Sequence, residues 1–430
     1  MQARRVAITG IGLISPYGGD LGDFFERLLA GESGVRHLLT DDLPRPLSTP
    51  FVSCQGFEPE VALGKPLAMM MERFAQLGTA AAFQAWAHAG LPRQSDATDA
   101  PDAAERDTWG CIWGTALGGL SAHERGSREL WQKGRERLSP LSVVQGMNNA
   151  VNAHISIQLG LGGVSSSHTA ACASSGIAIG EAFRRVRSGD ADVMLTGGSD
   201  VCQLYGVVRA WEAMRVMAPG DAQTAPSACR PFSVDRAGLV LGEGGAALVL
   251  EAWDHAMARG ATIHGEIVGF GASCDRSHLV RPSSAGQARA LRAALADAGL
   301  TPSDIGYVNA HGTATAEGDP VEIAALREVF GEGASRLPVS ATKSMHGHLL
   351  GASGAIEAVV TALALREQAV PPTAHLAGRI DPTCEGVDHI LQGRRRVPMR
   401  AALSNSFAFG GSNAVLAFRA PPSNRCSFLE

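Results

Sequence analysis

One cysteine in small-residue surroundings makes nucleophilic catalysis the first chemistry to consider in this 430-residue chain. Cys172 lies in the segment HTAACASSGIAIGEAFRR, where it opens a helical pattern that is apolar in its first turns. The positive end of a helix dipole favours a thiolate, so we expect the Cys172 thiol to be activated. Single cysteines are more often buried structural residues, however, so a catalytic Cys172 needs partners.

Three further segments carry groups that could act beside a thiol. NAHGTATAEGD places His311 at the end of a predicted strand, and SATKSMHGHLLGASGAIEA contains Lys343, His346, His348 and Glu357. Lys343 is one of only three lysines among 37 basic residues. In SNSFAFGGSNAVL, glycines allow backbone N–H groups to face a ligand. Each segment alone is a weak signal, because most single histidines are core residues.

Strand-like and helix-like segments alternate along the chain and must position these side chains. Nearly continuous apolar runs bounded by glycine predict strands buried on both faces, as in VAITGIGLIS, ADVMLTGGSD, GEIVGFGAS and AALSNSFAFGG. Helical patterns lie between them at 74–91, 176–190, 286–300 and 354–369. This alternation predicts an α/β fold whose sheets are covered on both faces.

The chain resolves into two similar halves, 1–258 and 259–430. VAITGIGLIS opens the first half and EIVGFGAS the second, and each half has a buried helix after a special loop, at 172–187 and 348–366. A single hydrophobic core stops growing at roughly 250–300 residues, which also favours two units. We therefore predict a duplication, with the cysteine in the first half and the lysine and histidines in the second.

Composition excludes several functional classes. A net charge of −5 argues against a nucleic-acid binder. Residues 138–180 contain no Asp, Glu, Lys or Arg, but their Asn, Gln and Ser side chains predict a buried interior rather than a membrane span. The eight cysteines are scattered singly, so there is no local metal motif. We expect a reduced, cytoplasmic protein without a metal.

Together the four segments resemble the β-ketoacyl-acyl carrier protein synthases, the decarboxylating condensing enzymes. Further matches are GTALGGL, GDADVMLTGGSD, RPFSVDRAGLVLGEGGAALVLE and DAGLTPSDIGYVNAHG, so the resemblance runs from residue 4 to about 419. It is strongest to the stand-alone elongating synthases of bacterial fatty acid synthesis. The resemblance implies the thiolase fold, with five layers α-β-α-β-α from two duplicated halves. It also implies a homodimer, an acyl carrier protein partner, and no cofactor beyond the carrier's phosphopantetheine arm.

The resemblance also assigns the chemical roles. Cys172 is implied to accept an acyl group from a thioester. His311 and His348 are implied to stabilise the enolate that forms when a malonyl thioester loses CO₂. Lys343 is implied to hold this network, paired with Glu357.

Substrate contacts follow from the same resemblance. Thr313 and Thr315 match positions that hydrogen-bond the phosphopantetheine arm. Leu117, in GTALGGL, matches the position where the acyl pocket meets the dimer interface, and Phe407 is implied to bind substrate. The oxyanion of the tetrahedral intermediate is implied to lie against the backbone N–H groups of the nucleophile and of Phe409.

Some residues depart from the family pattern. His346 replaces a small polar residue, and we expect it behind the reacting groups or at the surface. Ala170, Ala314, Ala408 and Leu239 also differ from common choices. These departures leave the chemical groups intact but put the acyl-chain specificity in doubt.

The carrier-docking surface is a further departure. Three methionines at 69–71, in GKPLAMMMERF, stand where relatives are often basic. Either they pack inward, or docking is more apolar or has moved to Lys133, Arg137 and Arg215. The sequence does not distinguish these cases, and it does not identify the carrier protein, the primer or the chain length.

Other functions on the same fold remain to be weighed. Non-catalytic chain-length partners of polyketide systems lack the cysteine, which is present here. Thiolases use a second cysteine near the C terminus, and the NSFAFGG loop has none. A condensing enzyme of a specialised lipid or polyketide pathway stays open, because the sequence does not separate it from an enzyme of bulk fatty acid synthesis.

Overall fold

The computed structural model describes residues 3–40, 45–93, 103–376 and 378–421. The strands are Val6–Ile14 (β1), Arg36–Leu39 (β2), Ser48–Val52 (β3), Gly110–Gly114 (β4), Ser165–His168 (β5), Val193–Val201 (β6), Leu241–Ala252 (β7), Gly265–Cys274 (β8), Ile305–Asn309 (β9), Pro338–Ser340 (β10), Ala369–Val370 (β11), Asp388–His389 (β12), Arg395–Arg396 (β13), Ala401–Phe407 (β14) and Ser412–Arg419 (β15). The α-helices are Leu21–Leu29 (α1), Pro59–Leu63 (α2), Lys65–Met69 (α3), Arg73–His88 (α4), Ala103–Arg106 (α5), Leu120–Ser127 (α6), Leu141–Gln145 (α7), Ala150–Leu159 (α8), Ser174–Ser188 (α9), Tyr205–Ala213 (α10), Trp253–Ala258 (α11), Ser284–Ala298 (α12), Gly318–Phe330 (α13), Lys343–His346 (α14) and Ser353–Glu367 (α15).

The four helices predicted from periodicity are confirmed as α4, α9, α12 and α15, each beginning within two residues of its predicted start. Local chemistry sets several of their ends. The Ser283 side chain caps α12 by accepting a hydrogen bond from the Gly286 N–H. Gly189 and Gly299 end α9 and α12 with φ angles of +88° and +62°, a left-handed conformation that glycine adopts without a steric penalty.

The sheet repeats one strand order in both halves of the chain. Thirteen strands form it, in the order β12-β10-β9-β14-β15-β8-β1-β7-β6-β4-β5, with β2 and β3 attached beside β7. In the first half the strands lie in the order β1-β7-β6-β4-β5, and in the second half in the order β8-β15-β14-β9-β10. In both orders the first two neighbouring pairs are antiparallel and the last two are parallel. The predicted duplication is therefore confirmed, whereas the division into 1–258 and 259–430 stays a prediction.

Two buried helices lie between the halves of the sheet and form the central layer. Helix α9 contacts β4 and β6 of the first half and β8 and β15 of the second, and α15 contacts β14 and β15 as well as β6 and β7. Helix α4 covers β1, β6 and β7 on the outside, and α12 covers β8 and β15. This gives the α-β-α-β-α layering of the thiolase fold. Helix α15 is buried all round, as its apolar sequence requires.

Close contact between α9 and α15 brings the two halves of the site together. A Cβ atom at Gly354 would lie only 2.9 Å from the backbone nitrogen of Gly176, so a larger residue there would push the helices apart. Ser175 Oγ also accepts a hydrogen bond from the Ala355 N–H at 2.9 Å. Because both helices begin at this crossing, the loops that precede them meet.

The charge-free segment 138–180 is more exposed than the sequence predicts. Val143, Ile157 and Val164 are 63%, 67% and 44% exposed, and β5 is the outer strand at one end of the sheet. Only part of the segment, including half of α8 and the start of α9, is interior. No helix within the described ranges is long and apolar enough to cross a bilayer.

Candidate active site

The nucleophile candidate lies in a constrained turn immediately before α9. Ala171 has a φ of +47°, a conformation that costs energy for a non-glycine residue. Ser174 Oγ accepts a hydrogen bond from the Ala170 N–H at 2.9 Å and donates one to the Ala171 carbonyl oxygen at 2.6 Å. These bonds hold the turn, and Cys172 is 5% exposed. The sulfur therefore has a fixed position at the start of the central layer.

His348 is positioned to exchange a proton with Cys172. Its Nε2 atom lies 3.0 Å from the Cys172 sulfur, and its Nδ1 atom lies 2.9 Å from Ser353 Oγ. The Leu349 N–H donates to the same hydroxyl oxygen at 2.9 Å. A serine hydroxyl can donate or accept, so Ser353 supports His348 both before and after proton transfer.

Lys343 fixes the second histidine. Its ammonium donates to the His311 carbonyl oxygen at 2.7 Å and lies 3.2 Å from His311 Nδ1. It also forms an ion pair with Glu357, and both side chains are fully buried. A lysine ammonium can only donate, so His311 Nδ1 must accept and its proton resides on Nε2. The Lys343–Glu357 pairing implied by the resemblance is confirmed.

Burial keeps both imidazoles neutral. It lowers the pKa of His311 and of His348 well below the usual value, and the nearby positive charge of Lys343 adds to the effect. Neutral imidazoles whose Nε2 atoms face the cavity can donate N–H bonds to a developing oxyanion. The two rings are 5.5 Å apart at their centroids and nearly perpendicular.

The expected activation of Cys172 by a helix dipole is wrong as a statement about the resting thiol. Burial raises the pKa of Cys172 to about 12, although Lys343 and the backbone N–H groups of Phe409 and Cys172 oppose that rise. Desolvation outweighs the dipole because the sulfur is buried and precedes the helix rather than lying in its first turn. Cys172 therefore rests as a thiol, with His348 Nε2 3.0 Å from its sulfur.

Two backbone N–H groups converge on the Cys172 sulfur. They belong to Cys172 itself and to Phe409, as the resemblance implies for an oxyanion hole. Gly410 and Gly411, with φ angles of +84° and +77°, allow the turn that presents Phe409. The Phe409 ring stacks on Trp211, with centroids 5.6 Å apart and an interplanar angle of 17°.

A cavity of about 570 Å³ leads to Cys172, His311 and His348. Thr313, Thr315 and Phe407 also line it, and the two threonine hydroxyls are 3.0 Å apart. These three predicted substrate-binding residues therefore lie in one cavity with the reacting groups.

Leu117 lies outside the lining of this cavity. It packs in a small apolar cluster that contains Cys172, Leu239 and Leu350. Its backbone N–H donates to the Asp200 carboxylate at 3.0 Å. Leu117 thus packs against the apolar cluster to which Cys172 belongs.

His346 lies behind the reacting groups, as expected. Its Nε2 atom is 2.9 Å from Thr342 Oγ1, and its Nδ1 atom is 2.9 Å from the carbonyl oxygen of Gly347. Burial, with a contribution from Lys343, lowers the pKa of His346 to about 3. A neutral ring must donate from Nδ1, since a carbonyl oxygen only accepts. His346 therefore supports the backbone that leads into His348.

Sequence reasoning missed two buried carboxylates that organise the site. Asp200 accepts hydrogen bonds from the Ala116, Leu117 and Gly351 N–H groups at 2.7–3.0 Å, which joins the GTALGGL loop to the segment after His348. Glu322 accepts from the backbone N–H of His311 and of Gly312, both at 2.8 Å. The sequence offered one signal for such a residue, since Asp200 follows directly on an apolar run.

Sequence reasoning also missed Trp211. Its stacking on Phe409 joins α10 to a loop almost two hundred residues away. No periodic pattern or local spacing points to such a contact.

The structure narrows the possible docking surface. Met69 and Met70 are 63% and 40% exposed while Met71 is 4% exposed, so inward packing is wrong for two of the three methionines. Arg73 forms a salt bridge with Glu243 at 2.6 Å, so its charge is already paired within the chain. Lys133 is paired with Glu129, a pairing that weakens its attraction for another anion.

The comparisons with known proteins agree with this geometry. Sequence models of the N-terminal and C-terminal domains of beta-ketoacyl synthase match residues 3–256 and 264–377. Nodulation protein E of Rhizobium sp. (strain N33) is 42% identical over 97% of this chain and 99% of its own length. 3-Oxoacyl-[acyl-carrier-protein] synthase 2 of Staphylococcus aureus (strain COL) is 38% identical over the same shares. A beta-ketoacyl synthase from Burkholderia phymatum STM815 has a TM-score of 0.87 and 34% identity, covering 97% of this chain and 100% of that one.

Proposed function

Because the chain belongs to the β-ketoacyl synthase family, we propose that Cys172, His311, Lys343 and His348 form the active site of a decarboxylating condensing enzyme. The reaction joins an acyl group to malonyl-acyl carrier protein and yields 3-oxoacyl-acyl carrier protein and CO₂, which is the elongation step of fatty acid synthesis. The distance of 3.0 Å between the Cys172 sulfur and His348 Nε2 carries the proposal, because it couples a nucleophile to a base in one cavity.

In the first half-reaction Cys172 takes the acyl group. Its sulfur attacks the thioester carbonyl while His348 Nε2 accepts the thiol proton. The oxyanion that forms is held by the backbone N–H groups of Cys172 and Phe409. The phosphopantetheine thiol then leaves with the proton, and an acyl thioester remains on Cys172.

In the second half-reaction a malonyl thioester loses CO₂. His348 first changes tautomer, releasing its Nδ1 proton through the Ser353 hydroxyl and taking a proton on Nε2 from water in the cavity. The thioester oxygen of the malonyl group then accepts N–H bonds from Nε2 of His311 and of His348, so the enolate forms without charging an imidazole. Such preorganised donors are worth about 3–4 kcal/mol each in comparable oxyanion sites. The enolate carbon attacks the acyl carbonyl, the C–S bond breaks, and the Cys172 thiolate takes up a proton from solvent to regenerate the thiol. Lys343 holds His311 throughout.

Incubation with an acyl-carrier and a malonyl-carrier thioester tests this function. Mass spectrometry is expected to find a 3-oxoacyl product two carbons longer than the primer, with one CO₂ released for each product. Free acid without chain extension would instead indicate a hydrolase.

The acyl carrier protein and its phosphopantetheine arm are the proposed partner and substrate carrier. Thr313 and Thr315, which line the cavity, are proposed to hydrogen-bond the arm, and Phe407 to pack beside it. No further cofactor is needed for the two half-reactions. Arg215 borders the cavity, and neither its charge nor that of Arg137 is paired with any acidic residue that the structure describes.

Charge reversal at these arginines is expected to weaken use of the carrier. Arg215→Glu and Arg137→Glu should raise KM for an acyl-carrier substrate, because carrier proteins are acidic, with little change in turnover of a small pantetheine thioester. KM should rise less steeply as salt increases from about 50 to 500 mM than in relatives that are basic at 69–71, since the exposed Met69 and Met70 carry no charge. A steep salt dependence, together with normal KM in both variants, would locate docking elsewhere.

Leu117 is proposed to limit the acyl chain. It packs against the apolar cluster that contains Cys172, so Leu117→Phe should shorten the longest accepted primer and Leu117→Ala should lengthen it. Competition among acyl-carrier thioesters of different lengths measures this. Unchanged selectivity in both variants would remove Leu117 from the acyl pocket.

A homodimer is proposed from the exposed charge-free surface around β5. The outer strand of a sheet offers unpaired backbone groups, and Val143, Ile157 and Val164 add apolar surface beside it. A second copy could continue the sheet across a two-fold axis and bury these side chains.

Ile157→Asp is expected to shift the protein toward monomer, because the buried carboxylate would lack a partner. Sedimentation velocity measures the change, and Met257→Asp, which alters an apolar residue 59% exposed on α11, serves as the matched control. Monomeric wild-type protein at working concentrations would refute the dimer.

A specialised pathway is a second candidate, favoured by one observation. The identity to nodulation protein E is 42%, above the 38% to 3-oxoacyl-[acyl-carrier-protein] synthase 2. The chemistry at Cys172 would be the same, and the carrier and the primer would differ. Comparing turnover across carrier proteins from separate gene clusters distinguishes the two candidates.

A further inference from the structure

An exposed arginine lies at the rim of the cavity that leads to Cys172. Arg281 lines this cavity, is exposed, and forms no salt bridge with any acidic residue that the structure describes. We propose that Arg281 binds the phosphate group of the carrier's phosphopantetheine arm, and that it anchors the outer end of the arm while the thioester reacts at Cys172. The inference rests on the proposed function and adds to it a phosphate site that the chemistry at Cys172 does not itself require.

The cavity runs from a buried nucleophile to an exposed rim, and the arm has matching ends. Cys172 is 5% exposed, whereas Arg281 lies at the surface, and both line the same cavity of about 570 Å³. The arm carries its thiol at one end, two amides along its length, and a phosphate at the other end. A thioester that reaches Cys172 therefore leaves the phosphate at the rim, where an exposed cation can bind it.

The fold holds the segment that carries Arg281. The Arg281 N–H donates a hydrogen bond to His278 Nδ1 at 3.2 Å, and the Val280 N–H donates to the same nitrogen at 3.1 Å. The Leu279 carbonyl oxygen accepts a hydrogen bond from the Gly410 N–H at 2.7 Å, which ties the segment to the loop of the oxyanion hole. The Arg281 backbone is thus fixed beside the reacting centre, and its side chain is free to turn toward an anion.

Both the charge and the shape of the rim suit a phosphate. Among the charged residues that line the cavity, Arg215, Arg281 and Glu317 are exposed, so the exposed charges have a positive sum. A guanidinium group is planar and permanently charged, and two of its N–H groups can donate in parallel to two phosphate oxygens. The amides of the arm carry no charge, so the phosphate is the part of the arm that this rim attracts most strongly.

Substrates with and without the phosphate test the proposal in one enzyme. The acyl thioesters of 4′-phosphopantetheine and of pantetheine differ only in that group, and neither includes a carrier protein. Wild-type protein at low salt is expected to show a KM roughly fivefold lower for the phosphorylated thioester, because a charged hydrogen bond at an exposed site is worth about that much. The advantage should shrink as salt increases, since exposed charges are screened.

Two arginines of the same loop provide a variant and its matched control. Arg281→Gln should abolish the advantage, so that both thioesters show the KM of the unphosphorylated one. Arg276 is also exposed but does not line the cavity, so Arg276→Gln should keep the full advantage. Calorimetric titration with free 4′-phosphopantetheine and free pantetheine makes the same comparison without turnover, and in wild-type protein it requires no variant to fold.

Equal KM values for the two thioesters in wild-type protein would overturn the proposal, as would an undiminished advantage in Arg281→Gln. An effect of Arg281→Gln on carrier-bound substrate alone would also overturn it, because the arginine would then contact acidic side chains of the carrier instead of the phosphate. None of these results affects the condensing function, since a 3-oxoacyl product would still form. Binding that depends on the phosphate and on Arg281, without any such product, would contradict the proposed function alone.

Discussion

The Cys172→Ala variant is expected to lose condensation by about 10⁴-fold or more, the scale seen when a covalent nucleophile is removed. No acyl intermediate can form, and no other cysteine of the described chain lies beside the two histidines. Cys172→Gln should lose condensation equally. It should keep decarboxylating malonyl thioesters, because an amide resembles the acylated thiol and leaves His311 and His348 in place.

Separate assays of product formation and CO₂ release distinguish these outcomes. Cys202→Ala is the matched control, since Cys202 belongs to the same apolar cluster but does not converge with His311 and His348. Its condensation rate should stay within a few-fold of wild type. Condensation by Cys172→Ala at a similar rate would show that another residue carries the acyl group.

His311→Ala and His348→Ala are expected to slow decarboxylation by about 10²–10³-fold each, the cost of losing one oxyanion donor. Acylation of Cys172 should survive better in His311→Ala, because His311 acts only on the malonyl unit, than in His348→Ala, which also removes the base. Radiolabelled acyl and malonyl thioesters measure the two half-reactions separately. Equal losses of both half-reactions in both variants would contradict the division of roles.

The pH dependence follows from the burial of these histidines. An ordinary histidine gains a proton as pH falls through about 6.5. Burial holds the pKa of His311 and His348 well below that value, so both stay neutral as the medium becomes mildly acidic. Decarboxylation by Cys172→Gln should therefore be flat between about pH 6 and 8. A histidine titration inside that window would show that the rings are not desolvated during catalysis.

The candidate site residues could be proposed because four segments together resemble the β-ketoacyl synthases, and that resemblance assigns roles to Cys172, His311, Lys343 and His348. Each segment alone is a weak signal, although Lys343 is notable in an arginine-rich chain. Hydrophobic periodicity was sufficient to predict helices α4, α9, α12 and α15, because the repeat of apolar residues in a helix can be read from a short stretch of sequence.

What could not be predicted depends on contacts between distant segments. The ring of Trp211 stacks on that of Phe409, and Asp200 accepts a hydrogen bond from the Gly351 N–H. Each contact joins elements that are far apart in the sequence, so no local spacing predicts it. The pKa of Cys172 was misjudged for a similar reason, because a helix dipole can be inferred locally whereas desolvation requires the complete fold. Exposure at 138–180 was misjudged because an absence of charge does not by itself distinguish a buried core from an exposed apolar surface.

The central claim is that Cys172 carries the acyl group between two half-reactions. The most direct test incubates wild-type protein with an acyl-carrier thioester, maps the adduct by peptide mass spectrometry, and then adds malonyl-carrier thioester. One acyl group per chain is expected on the peptide that contains Cys172, followed by its complete transfer to a 3-oxoacyl product with release of CO₂. An adduct on another residue, or an acyl-Cys172 that malonyl thioester cannot discharge, would contradict the central claim.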